Sequence, residues 1–227
     1  MMMTLVPLAL MLASPTPPAA APAGARRLQV VVRLDPQSTK ADTVLADVRS
    51  EVHAIWDPYV DLDFAHVGAI EADSPPCAVD LVVSIVDHPR TSSPLDPALG
   101  WIELAPSGRP RNAVTVSMAV AARLVAEARW GGLPVRDLSP RFQALFISRA
   151  LSRTIAHEIG HYVLRSSAHS ATGLMRPRLT VADIMSPGLD QFRLKPAEVE
   201  RLSLIQRAQY VSKNAWVRAQ ACAAAAG

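Results

Sequence analysis

Residues 157–177 read HEIGHYVLRSSAHSATGLMRP, and the first five of them, His157-Glu158-Ile159-Gly160-His161, decide how the rest is read. On an α-helix, positions i and i+4 lie on one face, a turn apart. His157 and His161 so placed can both reach one cation at about 2.0–2.1 Å, the usual zinc–nitrogen distance. Glu158 follows by one residue and is turned by about 100° around the helix axis. Its carboxylate then stands beside the cation, where it can take a proton from a polarised water and later give it to a leaving group. An open zinc site also needs a third protein ligand. Half of the six histidines fall between residues 157 and 169.

The pentapeptide is expected inside a helix. Ser139-Pro140 is a start signal, Ser as N-cap and Pro in the first turn. Apolar residues then recur at helical spacing from Phe142 through Leu145, Phe146, Leu151, Ile155 and Ile159 to Leu164. Upstream, Leu28 to Leu34 reads as a strand, Thr39 to Trp56 as a helix closed by Pro58, and Val60 to Val67 as a second strand. Val79 to Val86 is a strong buried strand, Asp87 to Leu99 a proline-bearing loop, and Gly100 to Leu104 a short strand suited to a sheet edge. Ala113 to Met118 is a further strand, followed by a helix to about Arg129 and a linker over Gly131 to Leu138. Downstream of the motif an irregular Ser/Gly/Pro-rich stretch runs to about Phe192, and a last helix spans Pro196 to about Val217. This order predicts an α/β (α+β) fold in one domain over residues 26–227.

The stretch 157–177 resembles the metzincin peptidases, which carry H-E-x-x-H-x-x-G-x-x-H and then a turn containing Met. It is most similar to the matrixin branch, where the third His is followed by Ser and shortly by Leu-Met-x-Pro; here His169-Ser170 precedes Leu174-Met175-Arg176-Pro177. The resemblance implies a zincin domain with a mixed, twisted sheet of about five strands, a long active-site helix and a C-terminal helix. It implies Zn2+ as cofactor, His157, His161 and His169 as ligands, Glu158 as general base, and Met175 beneath the metal. Gly100-Trp101 would lie on the substrate-side edge strand. Two departures stand out: Leu164 occupies the place of the family's Gly, and the spacing from second to third His is two residues longer. Both are accommodated if the helix runs slightly further and Arg165 to Ala168 makes a wider turn. Met185, in Ile184-Met185-Ser186-Pro187, is a second candidate for the Met-turn, and Glu198 or Glu200 an alternative carboxylate ligand in place of His169.

Around this core the signals are weaker. Leu5 to Leu12 is a short apolar run followed by Ser/Pro/Ala-rich sequence with small-x-small sites, so residues 1–25 are expected to be a signal peptide and the chain secreted or periplasmic. No Lys or Arg precedes the run, which also leaves open an intracellular domain behind a leader of another kind. The first strand begins too close behind the leader to leave room for an inhibitory propeptide. Cys77 and Cys222 either pair in an oxidising compartment or stay as separate thiols. A net charge of +3 with scattered Arg gives no nucleic-acid footprint, and no stretch promises stable membrane insertion. His53, His66 and His88 read as ordinary surface or core residues. The expected partner is a peptide or protein substrate, hydrolysed by a zinc metalloendopeptidase. The rival is a non-catalytic zinc-binding or interaction module, which would call for a fourth protein ligand. Substrate preference and oligomeric state leave no mark in the sequence.

Overall fold

The computed structural model describes residues 27–67, 78–88 and 98–209. The leader, Cys77, Cys222, the middle of the loop expected over Asp87 to Leu99, and the end of the last helix lie outside the described residues.

Five strands form one mixed sheet in the order β2-β1-β3-β5-β4. They are β1 (Gln29–Pro36), β2 (Asp61–His66), β3 (Val79–Val86), β4 (Gly100–Leu104) and β5 (Pro110–Ser117). The pairs β1–β2, β1–β3 and β3–β5 are parallel, and β4 joins β5 antiparallel at the edge. The register aligns Val30, Val32 and Leu34 of β1 with Val79, Leu81 and Val83 of β3, and aligns Val83 and Ile85 with Val114 and Val116 of β5. These positions alternate along each strand and so point to one side. Apart from the half-buried Val79, all are buried, whereas Val82, Ser84 and Val86 on the other side are only half-buried. The sheet thus has one well-covered face, which makes the fold two-layered.

The covering layer is α1 (Leu45–Trp56), α2 (Met118–Glu127) and α3 (Pro140–Val163). The amphipathic spacing of α1 buries Val48, Val52, Ile55 and Trp56. A short 3-10 turn, Ala41–Thr43, precedes it, so the regular helix starts later than the pattern from Thr39 suggested. β5 runs straight into α2, where the Ser117 hydroxyl caps Val120 N at 3.3 Å. The stretch Gly131 to Leu138, expected to be a linker, instead contains a hairpin strand and a 3-10 turn. Strands β6 (Arg129–Trp130) and β7 (Leu133–Pro134) pair across Gly131-Gly132, both at positive φ as a tight two-residue turn demands.

Helix α3 is the central element. From Ala150 to His161 every residue is buried, which follows from its place between the sheet, α1 and α2. Its buried hydroxyls are satisfied locally: those of Ser148, Ser152 and Thr154 donate to the carbonyls of Leu145, Ser148 and Ala150. Pro140 stands in its first turn as expected, but the Ser139 side chain makes no capping bond. The irregular stretch after α3 contains a short helix, α4 (Val181–Met185), closed by a reciprocal capping box between Thr180 and Asp183. A final helix, α5, begins at residue 196 and is described to residue 209. No helix among the described residues is long and apolar enough to cross a membrane.

Candidate metal centre

The C-terminal half of α3 presents His157 and His161 on one face. Each ring is fixed by a backbone carbonyl: His157 Nδ1 lies 2.8 Å from Leu174 O, and His161 Nδ1 2.7 Å from Ser166 O. A carbonyl oxygen only accepts, so each Nδ1 carries its proton and donates it. In a neutral ring the other nitrogen, Nε2, is then a bare lone pair. The rings are held neutral: burial pushes His157 down to about 4 and lowers His161 as well. The two Nε2 atoms stand only 3.0 Å apart. Two lone pairs at that distance repel unless a positive centre lies against both. Two nitrogens held tetrahedrally by one zinc at about 2.0–2.1 Å each would be about 3.4 Å apart, so the pair is shaped for a cation.

His169 completes the arrangement. Its ring is 5.3 Å from that of His157 and 4.8 Å from that of His161, centre to centre. One donor atom from each of the three histidines lies within 4.8 Å of the others. Three imidazole nitrogens suit zinc among the common biological cations. His157 and His161 are buried and His169 is exposed, so the seat opens toward solvent on the loop side. Among the described residues no Cys, Asp or Glu joins the cluster.

The loop that brings His169 in departs from the helix by a turn in which the glycine of the related motif is absent. α3 ends at Val163, Leu164 caps it, and Arg165 takes a left-handed conformation with φ 51°. Ser166 N bonds His161 O at 3.0 Å and Arg165 N bonds Tyr162 O at 3.1 Å, the paired bonds of a Schellman turn. The same Ser166 that closes this turn offers its carbonyl to His161, so helix termination and the orientation of this imidazole are one event. Left-handed Arg costs about 1–2 kcal/mol relative to right-handed backbone. The Arg201 guanidinium from α5 offsets this by holding Leu164 O at 2.7 Å and Arg165 O at 3.2 Å.

Met175 lies against the motif from the other side. A Cβ added at Gly160 would stand 2.2 Å from Met175 Sδ, so only glycine lets the turn pack this close to α3. Leu174, next to it, supplies the carbonyl for His157, and Ser170 N bonds Met175 O at 2.9 Å. Met185, the other candidate, ends α4, where its carbonyl accepts from Arg149 at 3.2 Å. Replacing Gly160 with Ala is expected to cost about 1–3 kcal/mol, the usual range for forced overpacking, and to weaken metal binding by shifting Leu174. Urea denaturation and metal titration check this; unchanged values for both would mean that Met175 gives way freely.

Glu158 is buried beside the histidines, and burial raises its carboxyl to about 7, opposed by a hydrogen bond from the Ile102 backbone N–H. That bond places it against edge strand β4, a contact no residue-type pattern could announce. Glu198 is elsewhere engaged: its carboxylate accepts from the Ser170 hydroxyl and, at 2.7 Å, from Lys195 N. Glu200 is exposed and outside the cluster. Arg176 pairs with Asp183 at 3.0 Å and stacks on Phe192, 5.1 Å from the ring centre. A groove of about 840 Å³ runs past the three histidines and Glu158. Gly100, Ile102 and Leu104 of β4 form one wall, and Pro177 and Leu179 part of the other.

No known protein family matches the chain, and no curated protein matches it. Solved structures do. An archaemetzincin from Methanopyrus kandleri is 12% identical, with the match covering 83% of this chain and 98% of that one at a TM-score of 0.42. A zinc-dependent peptidase from Methanocorpusculum labreanum is 13% identical, covering 76% and 99%, at a TM-score of 0.43.

Proposed function

We propose that this chain is a zinc-dependent endopeptidase. One observation carries the reading: two Nε2 lone pairs held 3.0 Å apart, with a third imidazole converging on them, stand beside a buried carboxylate at an open groove. His157, His161 and His169 would hold the cation. Bound there, zinc polarises a carbonyl and makes water more acidic. The rest of the chemistry falls to the chain. Among the described residues β4 has a neighbouring strand on one side, and an extended peptide can add along its other side as a further strand. Such a peptide passes Glu158 at the level of Ile102. Glu158 takes a proton from the attacking water and delivers it to the nitrogen of the departing amine.

The apolar run at Leu5 to Leu12 supports export of the protein before it acts.

Chelation tests the reading. Protein stripped of metal should cleave no unfolded protein or peptide, and one equivalent of zinc should restore cleavage. Stoichiometric zinc without any cleavage would favour the non-catalytic module instead.

A further inference from the structure

The third ligand is the one that the fold must work to place. His169 is exposed and belongs to no helix or strand. A ligand on irregular backbone loses freedom when it grips a cation, and that loss weakens binding unless the loop is ordered beforehand.

The ordering comes from α5. Ser170, next to His169, donates its hydroxyl to Glu198 Oε1. The other oxygen of that carboxylate accepts from Lys195 N at 2.7 Å, at the entry to α5. One side chain therefore joins the ligand loop to the first turn of a helix. Two further ties run the same way: Leu174 N bonds Arg193 O at 3.1 Å, and Arg201 holds Leu164 O and Arg165 O. The first residue of the loop, the neighbour of its ligand and the start of the Met turn are all fastened to the segment 193–201. Gly173 permits one of these ties, because its φ of +86° and the Arg193 oxygen 2.7 Å from where a Cβ would sit leave no place for a side chain.

We propose that Glu198 is a positioning residue for the metal centre: through Ser170 it sets His169 before the cation arrives, and α5 is the frame that aligns the third ligand with the two on α3. The inference rests on the functional reading above. A plain structural role is the alternative, in which Glu198 only caps α5 through Lys195 N.

Ser170→Ala separates the two, because it removes the link to the loop and leaves the bond between Glu198 and Lys195 intact. Zinc affinity is measured by competition with a chromophoric chelator, alongside the thermal midpoint of the metal-free protein. The expected result is a roughly 10- to 100-fold weaker zinc affinity, as for lost supporting contacts in other metal sites, with little change in the metal-free midpoint. Ser170→Thr, which keeps the hydroxyl, should restore most of the affinity. Glu198→Ala should weaken zinc at least as much, and adding Ser170→Ala to it should weaken zinc no further. Wild-type affinity in Ser170→Ala would overturn the positioning role alone. A wild-type protein that takes up no zinc would overturn the functional reading and this inference together.

Discussion

Glu158→Gln should yield a folded, zinc-loaded protein whose peptide cleavage is roughly 10²- to 10⁴-fold slower, the usual contribution of a positioned acid–base group. The amide has the shape of the carboxylate, and its oxygen still accepts from Ile102 N–H. It has no proton to exchange at neutral pH. Folding stability should hold or rise slightly, because burial is the main force raising the Glu158 carboxyl and an amide carries no charge to desolvate. The three clustered histidines are untouched, so zinc content should stay at the wild-type level. Turnover on a fluorogenic peptide and metal analysis of the same sample decide the matter. Cleavage within tenfold of wild type would remove Glu158 from the chemistry.

Arg153→Met should be strongly destabilising. Arg153 sits one turn before His157 and is completely buried. Its guanidinium meets Glu51 of α1 at 2.7 Å, donates to Ser186 O at 2.8 Å and to Asp183 O, and lies 4.6 Å from the centre of the Phe192 ring. It therefore ties α1, α3 and α4 together behind the metal centre. Burial raises the Glu51 carboxyl and lowers the Arg153 guanidinium, each the larger effect at its group, so the pair is costly to desolvate. Removing only the cation leaves Glu51 and two carbonyls without it, at about 3–5 kcal/mol. At about 2–4 °C per kcal/mol for a domain of this size, the melting midpoint should fall by roughly 6–20 °C. Adding Glu51→Leu should recover part of that loss, since two apolar groups replace a half-broken ion pair. A drop below about 1 kcal/mol in the single variant would show that the network is dispensable.

Much of this was legible in the residues. The runs at Val79 to Val86 and Gly100 to Leu104 announced strands with the observed ends, and Pro140 with the apolar spacing behind it announced α3. The pentapeptide at 157–161 named two of the three clustered histidines because helical spacing alone brings them together. His169 came only from the resemblance, and the structure brings its ring to the same point. Other features are spelled in the residues but give only a faint signal. Thr180 and Asp183 spell a capping box, hidden by the Gly and Pro around a helix of only five residues. Gly131-Gly132 between Trp130 and Leu133 spells a two-residue hairpin, yet each strand is too short to show a period. The carbonyls of Leu174 and Ser166 and the N–H of Ile102 could not be read at all. Every residue but proline carries both groups, and only the fold decides which of them faces an imidazole or a carboxylate.

The left-handed turn at Arg165 carries a consequence for recognising related chains. A search pattern that insists on glycine three places beyond the second histidine rejects this sequence, although its backbone reverses one residue later. What the geometry requires is the sign of one torsion angle and a donor for the carbonyls it exposes. Here the donor is the guanidinium of Arg201, far along the sequence, so a local string of letters records only half of the requirement.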